Sequence, residues 1–119
     1  EAAAARLASA PSGYELVVYL GPWCGDSKRE VTRLFRALDV AGEVPFPIRY
    51  VGVDRAKQAP GLPADLELLY VPTFVVLRDG AELGRVIESA PDGIEVTLGA
   101  LLRGEVTGNI SGRSDIDEL

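Results

Sequence analysis

The only cysteine of the chain, Cys24, lies in Trp23-Cys24-Gly25-Asp26-Ser27, where an apolar run gives way to a helical pattern. A helix N-terminus offers unpaired N–H groups and partial positive charge, and both favour thiolate over thiol. Thiolate is the nucleophile, so a sulfur at this junction is placed to react. A lone cysteine is otherwise an inert buried thiol or a link to another molecule. The flanking Trp23, Gly25 and Asp26 and the helix start argue for the reactive thiol. Ser27 suits the first turn of the helix, and from there its hydroxyl can donate a hydrogen bond to the Cys24 thiolate.

Two elements must hold this turn. Before it, Glu15-Leu16-Val17-Val18-Tyr19-Leu20 is short, β-branched and aromatic, and predicts a buried strand ending at Gly21-Pro22. After it, Val31, Leu34, Phe35 and Leu38 recur at i, i+3, i+4 and i+7, with Lys28, Arg29, Glu30, Arg33 and Arg36 on the other face. That spacing predicts an amphipathic helix whose charged side chains form a solvated face.

The rest of the chain supplies a frame. Ala2–Ala10 favours a helix by propensity, stopped by Pro11-Ser12-Gly13. The prolines of Gly42–Pro47 break the long helix and lead into a second strand, Ile48–Val53. A strand-helix-strand unit of this kind predicts a parallel pair. Ala56–Leu62 reads as loop, and Pro63–Leu69 as a short helix with proline in its first turn. Thr73–Leu77 and Glu82–Ile87 are strands of an antiparallel hairpin turning at Arg78-Asp79-Gly80. A last helix starts at Asp92, capped by that residue with Glu95 reaching back, and carries Ile94, Leu98, Leu101 and Leu102 inward until Gly104. The expectation is an α/β domain: a mixed four-stranded sheet with helices on both faces, over residues 1–104, with the N-terminal helix within 1–13. Residues 105–119 lack an apolar period and are expected to form a flexible tail. In it, Asn109-Ile110-Ser111 matches a glycosylation acceptor but reads as a turn, and Asp117-Glu118-Leu119 is a weak retention signal.

Composition excludes several functions. With 119 residues the chain fits one domain with a real core. A formal charge of −6, no histidine and no basic cluster argue against nucleic-acid binding. No window approaches the roughly 20 apolar residues of a membrane span. Glu1–Ala10 has neither the basic start nor the apolar middle of a signal peptide, which points to the cytoplasm, although a chain starting at Glu1 leaves a removed segment open. No cofactor is expected, and one cysteine is too few for a zinc site within one chain. The chain is expected to act as a monomer.

From about Leu16 to Leu102 the chain resembles thioredoxin-fold proteins. Trp23-Cys24-Gly25-Asp26-Ser27 resembles their active-site turn Trp-Cys-x-x-Cys, with serine at the second cysteine. Val71-Pro72-Thr73-Phe74 resembles the cis-proline segment that faces it. More narrowly, Trp23–Leu34 is similar to bacterial thioredoxin-like proteins carrying Trp-Cys-x-Asp-Ser. The resemblance implies that Cys24 is the attacking thiol and that Pro72 is cis, with the Val71 backbone pairing to an extended substrate. It further implies that Trp23, Gly25, Asp26 and Thr73 border the substrate. Trp23 would shield one side of the sulfur; as an aromatic beside Gly-Pro it also suits plain packing at the domain edge.

The departures decide the chemistry. Ser27 cannot resolve a mixed disulfide, because a hydroxyl does not displace a sulfur as a second thiol would. The family's buried carboxylate, six residues before the cysteine, corresponds to Val18, and its lysine partner to Tyr50. Glu88 replaces a glycine beside the site, and its charge with that of Asp26 opposes that of Lys28 and Arg29. The leading expectation is a monothiol thiol-disulfide oxidoreductase working on a protein disulfide or a low-molecular-weight thiol adduct, with an external thiol as resolver. The alternative is a non-catalytic module that binds an extended peptide or holds a client by a mixed disulfide. Iron-sulfur ligation, as in glutaredoxins with Cys-Gly-Phe-Ser, ranks last because Asp26 stands where that pattern has phenylalanine.

Overall fold

The computed structural model describes residues 2–90 and 92–112. The chain begins with helix α1 (Ala2–Ala5), which tightens into a 3₁₀ turn over Arg6–Ser9 and stops before Pro11. Strand β1 (Tyr14–Leu20), helix α2 (Gly25–Ala41) and strand β2 (Ile48–Gly52) follow. After a long irregular segment come β3 (Thr73–Arg78), β4 (Ala81–Ile87), helix α3 (Ile94–Leu101) and β5 (Gly108–Ile110). The sheet order is β2-β1-β3-β4-β5. β1 and β2 are parallel across the α2 crossover, β1–β3 and β3–β4 are antiparallel, and β4–β5 is parallel. Among the described residues no helix is long and apolar enough to cross a membrane.

The mixed α/β class expected from the sequence is the class observed, with two differences. A fifth strand extends the sheet, because Gly108–Ile110 lies along the edge of β4 with Asn109 opposite Arg85. Three residues of the segment expected as a tail therefore form an edge strand, with Asn109 in that strand rather than in a turn. Close approach makes the pairing possible: a Cβ on Gly84 would lie 2.7 Å from the Gly108 carbonyl oxygen. Asp117-Glu118-Leu119 lies outside the described residues.

The second difference concerns the two faces of the sheet. Leu16 and Val18 of β1, Phe74 and Val76 of β3 and Val86 of β4 point to one side, where they meet Leu7, Val31, Leu34, Ile94, Leu98 and Leu101. All three helices contribute to that one cluster. The alternate residues Val17, Tyr19 and Val75 face the other side and are covered by Leu62, Leu66 and Leu68. These come from the loop between β2 and β3, not from the helix expected over 63–69. Prolines 60 and 63, and Glu67 held at φ +53, keep that segment in turns.

Within the helices two assignments shift. Phe35 is 48% exposed on the flank of α2, its ring meeting Tyr50 edge-on at 5.6 Å and 67°. Glu30, expected on the solvated face, is only 1% exposed. The cap expected at Asp92 is absent, since α3 starts one residue later with Gly93 as its N-cap at φ +99 and no side-chain cap bond. Glu95 does fold back, its carboxylate lying over Gly93 where a Cβ would approach to 3.0 Å.

Candidate active site

The turn between β1 and α2 is built around Gly21. Cys24 N–H donates to the Gly21 carbonyl at 2.8 Å, closing the turn, while Gly21 N–H donates to Ser27 Oγ at 3.1 Å. The Trp23 indole lies directly on the Gly21 backbone, where a Cβ would come within 2.7 Å of the ring. Only glycine leaves that space. The indole N–H donates to the Val53 carbonyl at 3.2 Å, and the Arg55 guanidinium stands 5.1 Å from the ring centroid. Trp23 is thus fixed from three sides.

Cys24 is the N-cap of α2, with extended backbone (φ −101, ψ 125) and its carbonyl accepting the first helical bond from Lys28 at 3.1 Å. Its side chain is partly exposed and caps no helical N–H. The sulfur instead points across to the segment before β3, 3.8 Å from the Val71 carbonyl oxygen, to which the thiol donates. The Val71–Pro72 peptide is cis. The Pro72 carbonyl accepts the Glu88 N–H at 2.8 Å, so the segments before β3 and after β4 are joined beside the sulfur. Glu88 adopts φ +68, the left-handed region that favours glycine, at the position where the family resemblance has one.

The residues singled out in the sequence divide as follows. Trp23, Cys24 and Ser27 share one turn, and Val71 meets the sulfur directly. Gly25 is exposed at the first helical position, and Asp26 beside it is ion-paired to Arg29 at 2.9 Å. Ser27 is buried with its oxygen accepting the Gly21 N–H; its expected bond to the Cys24 sulfur is not among the hydrogen bonds of the described residues. Thr73 is buried, its hydroxyl donating to the Tyr70 carbonyl at 2.6 Å. Val18 and Tyr50 stand side by side in the β1–β2 register, so the strand beneath the turn is apolar where the resemblance has a carboxylate. Arg55, the Val53 carbonyl and the buried Glu30 were not singled out. The Gly-Pro-Trp order hints at Gly21 packing under the ring, but nothing local marks a contact made thirty residues away.

No family model and no curated protein matches the sequence. Solved structures do. The chain is similar to Trxlp from Edwardsiella tarda EIB202, with a TM-score of 0.57 and 22% identity over 86% of this chain and 93% of that one. It is also similar to a mutant form of thioredoxin from Halobacterium salinarum NRC-1, with a TM-score of 0.54 and 18% identity over 80% of this chain and 76% of that one. The reduced periplasmic thioredoxin SoxS from Paracoccus pantotrophus matches at a TM-score of 0.54 and 20% identity, over 78% of this chain and 99% of that one. The fold is thioredoxin-like. Within that frame the site presents a partly exposed thiol that faces the Val71 carbonyl. It contains no second sulfur, because Cys24 is the sole cysteine.

Proposed function

We propose that this thioredoxin-like protein is a monothiol thiol-disulfide oxidoreductase. The observation that carries the reading is the Cys24 sulfur, partly exposed at the N-terminus of a 17-residue helix and 3.8 Å from a backbone carbonyl that borders a strand. The attacking species of such a thiol is the thiolate. An extended substrate lying beside Val71 and Pro72 presents its disulfide to that sulfur, with Trp23 on one side and Gly25 and Asp26 completing the strip, while Thr73 lies buried beneath it.

In the first step the Cys24 thiolate attacks one sulfur of the substrate disulfide. A new S–S bond to Cys24 forms, the old one breaks, and the other substrate sulfur leaves as thiolate. Ser27 takes no part in the second step, since its buried oxygen is held by Gly21 and an alcohol does not displace sulfur. An external thiol, glutathione or a partner protein, attacks the mixed disulfide, restores the Cys24 thiolate and carries away the substrate half as a disulfide. In each cycle one external thiol is oxidised into the disulfide it carries away and one substrate sulfur is released as thiolate, while the protein is unchanged.

The test is turnover of a glutathionylated peptide with reduced glutathione. The native protein is expected to release peptide thiol catalytically, and Cys24→Ser to fall to the uncatalysed background. Equal rates for the two proteins would overturn the reading. Absence of turnover, with peptide binding retained by Cys24→Ser, would establish the binding module instead.

A further inference from the structure

Cys24, Ser27, Glu30, Val31 and Leu34 share one face of α2 by helical spacing, and from Ser27 onward each of these side chains is buried. Glu30 is the anomaly in that stripe. Burying a carboxylate is costly before its partners compensate it, and an apolar residue would suit the position at no such cost. Its partners lie on the same helix. Arg29 Nε donates to Glu30 Oε2 at 3.1 Å and Arg33 Nη1 donates to the same oxygen at 2.9 Å. Both arginines are half exposed, so the buried oxygen is the fixed point and the guanidiniums are what it fixes. Arg29 then extends its Nη2 to Asp26 Oδ1 at 2.9 Å. The bond to Glu30 is the largest cause holding the Arg29 guanidinium above its ordinary pKa, with Asp26 adding to it.

We propose that Glu30 is a positioning residue for the reactive thiol: it anchors Arg29, and Arg29 covers Asp26, the first acidic side chain after Cys24. This rests on the thiol reading above but not on any substrate. An exposed Asp–Arg pair alone is only loosely held. Tied to a buried third member, Arg29 stays over Asp26 and keeps that charge compensated two residues from Cys24. Other charges around the turn are Lys28 on the same helix, Arg55 over Trp23 and Glu88 after β4. They are unchanged in the test below.

The test compares alkylation of Cys24 by iodoacetate, an anion, with alkylation by neutral iodoacetamide. Both consume the same thiolate, so the ratio of their rate constants cancels the thiolate fraction and reads the local charge. In Glu30→Gln at low ionic strength the ratio is expected to fall about two-fold, the size of one exposed charge pair, and the difference to fade in high salt. Glu30→Leu, which suits the apolar stripe, is expected to do the same and keeps the test open if the glutamine variant folds poorly. The sign is diagnostic. Deleting a carboxylate that acts only by its own field, or only as packing, raises the ratio or leaves it alone, and either result would overturn the proposal. Because no disulfide substrate is used, failure of the turnover assay and failure of this test are separate results.

Discussion

The two faces of the sheet are covered by different means. On one, three helices bring a periodic apolar stripe against alternate residues of β1, β3 and β4. On the other, a loop without regular structure lays Leu62, Leu66 and Leu68 across Val17, Tyr19 and Val75. The candidate site lies where the two covers meet: Cys24 caps a helix of the first, and Val71 ends the loop of the second. A helix secures its backbone bonds internally and gives the sulfur a stable mount, whereas the loop side depends on a few leucines and on bonds such as those from Arg85 to the Leu66 and Glu67 carbonyls.

Unequal truncation of the two covers would test this contrast. Leu34→Ala, at a fully buried position on the inner face of α2, is expected to cost about 3 kcal/mol of unfolding free energy, and Leu66→Ala, where the loop can relax, about 2 kcal/mol. Denaturant melts of both variants check the order, and amide exchange checks the regions: Leu66→Ala is expected to loosen residues 53–72 while α2 stays protected. Equal costs with uniform loosening would erase the distinction. Ser27→Ala sharpens it at the seam. Removing the buried acceptor of the Gly21 N–H is expected to cost about 1–2 kcal/mol while leaving a substantial alkylation rate at Cys24, because the helix amides remain. The smallest effect concerns Tyr19 on the loop-covered face. Burial raises its phenol above the ordinary value of 10.0, against the opposing pull of Arg49 and Arg85. A folded-state value above the unfolded one means a stability contribution intact below about pH 10 and lost as pH rises through the folded value. Phenolate absorbance and melts above pH 10 are expected to show late ionisation together with declining stability.

Much of the helix-covered face was legible in the sequence, because periods of two and 3.6 report burial directly: β1, α2, the β3–β4 hairpin and the stripe of α3 all follow from them. The loop-covered face was not. Leu62, Leu66 and Leu69 have helical spacing, yet Leu69 is 59% exposed and Leu68 turns inward, an arrangement set by the prolines and the sheet beneath rather than by any local repeat. Gly108–Ile110 carries no local repeat for a similar reason: three residues joining an edge need only free backbone groups and a glycine opposite. At the site, the resemblance in two short motifs paired Cys24 with Val71 across 47 residues. The burial of Glu30 was hidden because a glutamate between two arginines looks like any solvated helix face.

One consequence follows from the clamping of Trp23. The sole indole of the chain is adjacent to its sole sulfur and is anchored to Val53 and Arg55. Excited at the red edge, where the four tyrosines do not absorb, emission comes from a single indole whose orientation is set. Each event at the neighbouring atom, whether alkylation, adduct formation or release, can be followed in real time by intrinsic fluorescence, without a dye.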